Sequence, residues 1–448
     1  MNFDTIAAIS TAYGTAGISV IRISGDTAIS EFSQIFKGYD LKKAKSHTLH
    51  YGHILNEDGS YLDEAMVAVL KAPKTFTAED MVEVSTHGGI LITQKVLERV
   101  LSLNIRLAEP GEFSQRAYLN GRIDLIEAES IMDLIHAKSE QALKIANLGI
   151  QKETSKLIRN LRSKLLTIIA QIEVNIDYPE YDDAFVMSKE IIKPKTESLI
   201  QEINELLHES EKNQMIREGV KTAIVGKPNV GKSSLLNALI DEDKAIVTEV
   251  EGTTRDTIEA YVNISGVTLN LIDTAGIRET TDAVEKIGVN RSMKALNDAQ
   301  LVLLVLDQSK ILTKEDKELL EMTSHKKRII IANKSDLPQV LKMDEVILIS
   351  TLTRAGLKKL ENSILKLLSL EDIEERDFNY LSNARHITKV KEAKKSLQNV
   401  LTSIELDMPV DVYAIDLTTA WRLLGDILGE NYQDDLLNEL FTKFCLGK

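Results

Sequence analysis

The sequence predicts an α/β plus all-α chain in three parts. These are a mixed α+β N-terminal domain (1–120), a discontinuous helical domain (121–215 and 371–448), and an inserted α/β domain with a parallel-type sheet (216–370). Three observations predict it. At 448 residues the chain is too long for one hydrophobic core. Residues 216–370 alternate short apolar, β-branched runs with helical spacing, the pattern of a parallel sheet covered on both faces. Helical periodicity lies both before and after that block, so one helical domain assembled from two segments is the simplest arrangement.

In the N-terminal part, Thr5–Thr11 and Ile18–Ser24 read as short strands around a loop bearing Gly14 and Gly17. Met66–Leu70 and Met81–Ser85 are further strands, and Ile90–Leu101 has helical spacing before the break at Pro110-Gly111. Ile123, Ile126, Leu134 and Ile135 then recur at helical spacing. Leu157, Leu161, Leu165, Ile168 and Ile172 mark a long amphipathic helix closed by Pro179, and a third helix covers about 189–213. In the inserted block Val220–Val225, Val267–Ile272, Leu301–Leu306, Arg328–Ala332 and Val346–Ile349 read as strands, several of them the continuous apolar runs of buried parallel strands. Ser233–Leu239 begins a helix, and Ile387–Leu401, Val410–Leu428 and Asp434–Phe444 return the chain to helix.

Composition narrows the function classes. A net charge of −14 makes the chain a poor general binder of nucleic acid, since phosphate neutralisation supplies most non-specific affinity. The basic clusters Lys42, Lys43, Lys45 and Lys326, Lys327, Arg328 read as solvated faces. One cysteine, Cys445, excludes a disulfide framework within the chain and favours a reducing compartment. No apolar run approaches the roughly 20 residues that span a bilayer, and the first residues lack the basic region of a secretory signal, so no membrane and a cytoplasmic location are expected.

The chemistry lies between Gly226 and Asp336. Gly226-Lys-Pro-Asn229-Val230-Gly231-Lys232-Ser233, continued by Ser234, fits G-x-x-x-x-G-K-[ST] after a strand and before a helix. Its glycines let the backbone wrap phosphates, and its amides point at them. Lys232 contacts the outer phosphates and the Ser233 hydroxyl ligates Mg²⁺. Asp273-Thr274-Ala275-Gly276 follows the strand Val267–Ile272, with Asp273 suited to a Mg²⁺ role and the Gly276 amide to the γ-phosphate. Asn333-Lys334-Ser335-Asp336 follows another strand, and Asp336 can accept from guanine N1–H and its 2-amino group, a donor pair that adenine lacks. Ser350 braces the base, and Thr254, in Gly252-Thr253-Thr254-Arg255-Asp256, is the switch threonine that closes on Mg²⁺. Together these elements describe a GTP-binding, GTP-hydrolysing site. Where Ras-type sites place a water-positioning Gln, this chain has Ile277, so that group must come from elsewhere, with Arg278, Glu279, Asp282 and Glu285 nearby.

The Gly-Thr-Thr-Arg-Asp switch, the Asn-Lys-Ser-Asp element, the inserted domain and the ending Phe444-Cys445-Leu446-Gly447-Lys448 together resemble the family of tRNA modification GTPases called MnmE or TrmE, over essentially the whole chain. Leu446 stands where Ile is expected more often. The resemblance implies an N-terminal tetrahydrofolate-binding and dimerisation domain, a helical domain and an inserted Ras-like P-loop GTPase domain. It implies a homodimer working with the flavoprotein GidA or MnmG in a heterotetramer or larger complex, with FAD entering only through that partner. The pair would add an aminomethyl-type group at C5 of the wobble uridine of certain tRNAs, using 5-formyl- or 5,10-methylene-tetrahydrofolate. It implies GTPase domains that pair under K⁺, with Asn229 as side-chain ligand and Thr248, Val250 and Thr253 as carbonyl ligands, and nucleotide contacts along Glu249, Glu251 and Gly252 as well. Glu285 matches the water-positioning glutamate, Cys445 a residue linked to the modification reaction, and Arg22, Glu83, Arg122 and Lys448 the folate contacts. Arg122 stands where some relatives have Lys, which hydrogen-bonds differently.

Two other readings compete. A ribosome-assembly GTPase switch of Era or EngA type shares the phosphate loop, the switch threonine and the base-reading element. It brings a KH-like or second GTPase domain, for which this chain has neither the GxxG setting after residue 370 nor a second phosphate loop. A folate-dependent one-carbon transferase regulated by an attached GTPase differs only in what the N-terminal domain delivers.

Overall fold

A computed structural model describes residues 4–177, 188–240, 260–272, 296–370, 381–430, 434–442, 444 and 447. It divides into two compact units, Met1–Met132 with Gly425–Lys448, and Asp133–Leu424.

The first unit is built on a seven-stranded sheet of order β3-β4-β5-β6-β2-β1-β7. Its strands are β1 (Ile6–Ile9), β2 (Ile18–Ser24), β3 (Phe36–Gly38), β4 (Thr48–Leu55), β5 (Tyr61–Leu70), β6 (Met81–His87) and β7 (Arg106–Leu107). Every pairing is antiparallel except β1 with β7. Ile21, Ile23, Val67, Val69, Val82 and Val84 form the buried face, covered by Val96 and Val100 of the helix Ile90–Leu101. The alternation of β5, with Ala65, Val67 and Val69 buried between partly or fully exposed neighbours, is that of a strand with one face in the core. The C-terminal helix Asp434–Phe441 adds Leu437 and Phe441 to a second cluster with Ala117, Ile123, Leu125 and Ala128.

Charge is buried here, in a closed arrangement. Arg116, 2% exposed, donates to Glu112 Oε1 at 2.8 Å, to Asp4 Oδ1 at 3.0 Å and to Glu79 Oε2 at 3.3 Å. Arg106 reaches Asp4 at 2.6 Å and Glu112 at 2.7 Å. Burial pushes the Glu112 carboxyl up, but the bonds from Arg106, the Glu109 amide and Arg116 outweigh it and hold the group below its ordinary value. Hydrogen bonding from Arg106 holds Asp4 down as well.

The second unit joins a helical layer to the α/β block. Its sheet has the order β13-β12-β11-β8-β10-β9. The strands are β8 (Val220–Val225), β9 (Ala260–Ile264), β10 (Val267–Ile272), β11 (Leu301–Asp307), β12 (Arg328–Asn333) and β13 (Ile347–Leu348). All neighbours are parallel except the hairpin β9–β10. β11 is buried along its whole length, as a central parallel strand should be. The helices Lys232–Ile240 and Leu357–Leu368 pack into the same core through Leu235, Leu239, Leu360 and Ile364. The helix Lys193–Glu218 runs directly into β8, and the helix Ala384–Glu405 packs back against it. The Leu381 amide donates to Ser210 Oγ at 3.1 Å and Lys391 lies 3.3 Å from Glu211, so the chain leaves and re-enters the helical layer at neighbouring places. Among the described residues no helix is long and apolar enough to cross a membrane.

Most strands of the inserted block and the helix Ile90–Leu101 fall where the sequence places them. The strands β3, β4, β7 and β9, the first half of β5, and the helix Glu112–Leu119 were not expected. The helix predicted for about 189–213 spans Lys193–Glu218, and the last helix ends at Phe441 rather than Phe444. Pro179 lies outside the described residues.

Removing Arg116 would take the guanidinium from the buried Glu79 and Glu112, with Arg106 reaching only Glu112 and Asp4. Arg116→Met should destabilise the chain by about 3–5 kcal/mol, measured by urea unfolding. Because the folded Glu112 value is depressed, its contribution is present above the unfolded value and lost as pH falls through the folded one. Wild-type stability should therefore decline below about pH 4.3, the unfolded reference value, and Glu112→Gln should flatten that decline.

Candidate functional site

The site residues stand at the C-terminal ends of parallel strands, where open α/β sheets bind ligands. β8 delivers the loop Gly226–Ser233, β11 delivers Asp307, β12 delivers Asn333 to Asp336, and β13 precedes Ser350.

The phosphate loop is tied from both sides. The Asn333 amide donates to the Val230 carbonyl at 2.9 Å, and its own carbonyl accepts from Thr351 N at 3.2 Å. Lys334 donates to the Asn229 carbonyl at 2.9 Å and to Asp307 Oδ2 at 2.7 Å. Burial pushes the Asp307 carboxyl up, but the bonds from Lys334 and Ser309 prevail and keep it below its usual range. Gly231 has φ 97°, and a Cβ there would overlap the Asn333 side chain, so the loop accepts only glycine at this point. Lys232 opens the helix Lys232–Ile240 and its ammonium donates to the carbonyls of Gly226 and Lys227, each at 2.8 Å. Burial pushes the Lys232 ammonium below its ordinary value, which primes it to gain from an anion in place of the carbonyls. On the outer side Lys227 lies 2.8 Å from Asp316 Oδ2, inside the capping box of the helix Lys314–Met322.

The base-reading element is equally braced. The buried Ser350 hydroxyl donates to Asp336 Oδ1 at 2.5 Å and accepts from Thr353 N at 3.1 Å. Asp336 itself is exposed. Ser350 thus holds the Asp336 carboxylate in place.

Asn229, Val230, Gly231, Lys232, Ser233, Ser234, Asn333, Lys334, Asp336 and Ser350 therefore fall on one end of one sheet. Thr248, Glu249, Val250, Glu251, Gly252, Thr253, Thr254, Asp273, Thr274, Ala275, Gly276, Ile277 and Glu285 lie outside the described residues. Sequence reasoning missed Asp307, Thr351 and the Lys227–Asp316 pair. Asp307 did carry a signal, a lone carboxylate ending a fully apolar strand.

In the first unit Arg22 and Glu83 face each other across β2 and β6 in register, with Arg22 Nε 2.9 Å from Glu83 Oε1. The Arg22 guanidinium lies 5.6 Å from the Phe76 ring centre and 5.7 Å from that of Phe113. The Gly447 carbonyl accepts from Ser10 Oγ at 3.2 Å and from Arg22 at 3.4 Å. A carboxylate, a guanidinium and two aromatic rings suit a flat heterocycle with a donor edge. Arg122 is exposed just after the helix Glu112–Leu119, its amide donating to Ala117 O at 2.8 Å. Cys445 and Lys448 lie outside the described residues.

This fold and this set of loops define a P-loop guanine-nucleotide-binding enzyme, a GTP hydrolase. The MnmE helical domain family matches residues 125–445, and the GTP-binding protein TrmE N-terminus family matches residues 5–122. The tRNA modification GTPase MnmE of Acholeplasma laidlawii is 66% identical over 448 residues, covering 100% of both chains. That of Aster yellows witches'-broom phytoplasma is 55% identical over 460 residues, again covering 100% of both. The G domain of the T. maritima FeoB iron transporter is 30% identical over 33% of this chain and 98% of its own, with a TM-score of 0.26. The chain belongs to the MnmE, or TrmE, family of tRNA modification GTPases. The ribosome-assembly alternative falls with that match, which takes in both the N-terminal domain and the helices on either side of the insertion.

Asp336→Asn replaces the acceptor pair for the guanine edge. The preference for GTP over ATP, on the order of 10⁴ for a site that leaves a buried group unpaired with the wrong base, should collapse in competition binding with the two nucleotides.

Proposed function

We propose that this GTPase adds an aminomethyl-type group at C5 of the wobble uridine of certain tRNAs, as a cytoplasmic homodimer acting with a flavoprotein of the GidA or MnmG kind, in a heterotetramer or larger complex. GTP turnover is stimulated by K⁺ and brings the two GTPase domains together and apart. The observation that carries the cation reading is Asn229. It is exposed on the phosphate loop at φ 64°, and its backbone carbonyl is clamped by Lys334, so the backbone that carries its amide side chain is held at that place in the loop. Ile277, which cannot orient water, leaves room for charge supplied from outside the side-chain set. A K⁺ ion bound by Asn229 and the carbonyls of Thr248, Val250 and Thr253 would supply positive charge toward the phosphate groups. Lys232 holds the outer phosphates, Ser233 and Thr254 are the Mg²⁺ hydroxyls, and Glu285 orients the attacking water through a second one.

In the N-terminal domain Arg22 and Glu83, near Phe76 and Phe113, suit the pterin of a folate, with Arg122 and Lys448 suited to the carboxylates of its glutamate tail. A bound tetrahydrofolate derivative supplies the one-carbon unit. Cys445 is assigned to the modification step, where a thiolate would need a lowered pKa.

Steady-state GTP hydrolysis in matched KCl and NaCl is the direct check. At least about tenfold faster turnover in K⁺ is expected for a site that gains one stabilising charge, and equal rates in the two salts would remove the cation from the mechanism. Glu285→Ala should bind GTP normally and hydrolyse it about 100-fold more slowly. Normal turnover in that variant would return Glu285 to the surface.

A further inference from the structure

We propose that Lys138 and Gln141, on the helical side of the chain, are positioning residues for GTP hydrolysis, because they hold the hairpin β9–β10 that connects the two nucleotide-sensing segments. The inference rests on GTP hydrolysis and on the Asp273 motif, and is independent of the cation reading.

The hairpin occupies a defined place in the sequence. Thr254 lies shortly before β9, and Asp273 follows immediately after the last residue of β10, Ile272. β10 is hydrogen-bonded to β8, which leads into the phosphate loop. Where β10 sits beside β8 therefore sets where Ile272, the last described residue before the Asp273 motif, stands relative to the strand that leads into the phosphate loop.

Two contacts reach the hairpin from the helical segment, through Lys138 and Gln141, and a third ties it to the end of the helix before β8. The Lys138 ammonium lies 3.0 Å from the centre of the Tyr261 ring on β9. At the tip, Ser265 and Gly266 both have positive φ, 49° and 94°, as a two-residue turn requires. Gln141 packs so closely there that a Cβ on Gly266 would overlap its amide. At the base, Asn270 Nδ2 donates to the Glu218 carbonyl, the last residue of the helix before β8, at 2.8 Å. Asn270 is the register partner of Tyr261, so both strands are held at one level.

The holding side is itself tied down by hydrogen bonds and packing. Lys138 immediately precedes Ser139, whose hydroxyl caps the helix Glu140–Ile150 by accepting from Ala142 N at 3.1 Å. Asp133, at the end of the preceding helix, makes two bonds of 2.7 Å with Arg217, anchoring the end of the helix Lys193–Glu218. Ile145 and Ile216 are buried in the same cluster as Val262, Ile264, Val267 and Leu269 of the hairpin. Placement errors of about an ångström in a catalytic group can slow a reaction by about 100-fold, so a contact that fixes β10 acts on turnover without touching GTP.

The test is steady-state GTP hydrolysis by the full chain carrying Lys138→Met, Lys138→Arg, Tyr261→Leu or Lys138→Met with Tyr261→Leu. Lys138→Met should lower kcat by about tenfold with KM for GTP changed by less than about twofold. Lys138→Arg should restore kcat, since a guanidinium also sits over an aromatic face. The double variant should be no slower than either single one, as for two partners of one contact. Wild-type kcat in Lys138→Met, an arginine variant as slow as the methionine one, or losses that multiply in the double variant would each overturn the proposal. Should Lys138→Met fail to fold by circular dichroism, Gln141→Ala removes only the tip contact. A kcat lowered by about threefold or more supports the proposal, an unchanged one overturns it.

Discussion

A phosphate loop works only if its backbone is held open at the right curvature, and here that depends on one side chain from another strand. Asn333 donates to the Val230 carbonyl and accepts from the Thr351 amide, so one amide group spans the phosphate loop, the guanine element and the segment after β13. Gly231 must be glycine to let it in. The Asn-Lys-Ser-Asp element is usually thought of as a reader of the base, yet its first two residues serve the phosphate end. Lys334, neutralised by Asp307, clamps the next carbonyl along. The two halves of nucleotide recognition are one hydrogen-bonded object, which is why the motif residues occur together at the end of adjacent parallel strands.

The first unit solves a different problem with similar means. Its sheet is covered on one face by apolar residues, but the junction of β1, β7 and the helix Glu112–Leu119 is closed by Arg106 and Arg116 with Asp4, Glu79 and Glu112. Burying Arg116, Glu79 and Glu112 is tolerable because each meets an opposite charge, while Arg106 and Asp4 complete the network from the exposed side. The same pairing of guanidinium and carboxylate recurs in the sheet at Arg22 and Glu83, where aromatic rings stand beside the pair in place of further charge.

What was legible in the sequence follows from burial. β11 and β12, surrounded on both faces, read as Leu-Val-Leu-Leu-Val-Leu-Asp and Arg-Ile-Ile-Ile-Ala-Asn, and nothing but a parallel strand fits them. β4, by contrast, is Thr-Leu-His-Tyr-Gly-His-Ile-Leu, half exposed and carrying two histidines, so its alternation is masked by side chains that are neither apolar nor clearly polar. β9, Ala-Tyr-Val-Asn-Ile, is an edge strand whose order comes from β10 and from the helices beneath it. The GTP residues announced themselves because phosphate and guanine recognition need fixed residue types at fixed spacing. Arg22 and Glu83 could be singled out only by resemblance, because their meaning depends on a register between strands that are far apart in sequence. Asp316 and the arginine network were invisible for the same reason, their partners being scattered along the chain.

The helices that flank the inserted block lie against each other, so the chain departs from and returns to almost one spot in the helical layer. Topologically the whole α/β block is a loop on a helical hairpin. Loop closure grows only logarithmically with length, each doubling adding about 0.6 kcal/mol. Seen from the pair Lys193–Glu218 and Ala384–Glu405, an unfolded insert is then scarcely more of an entropic burden than a moderately long disordered connection. Bringing the two helices together therefore costs little more for the length of the block they enclose.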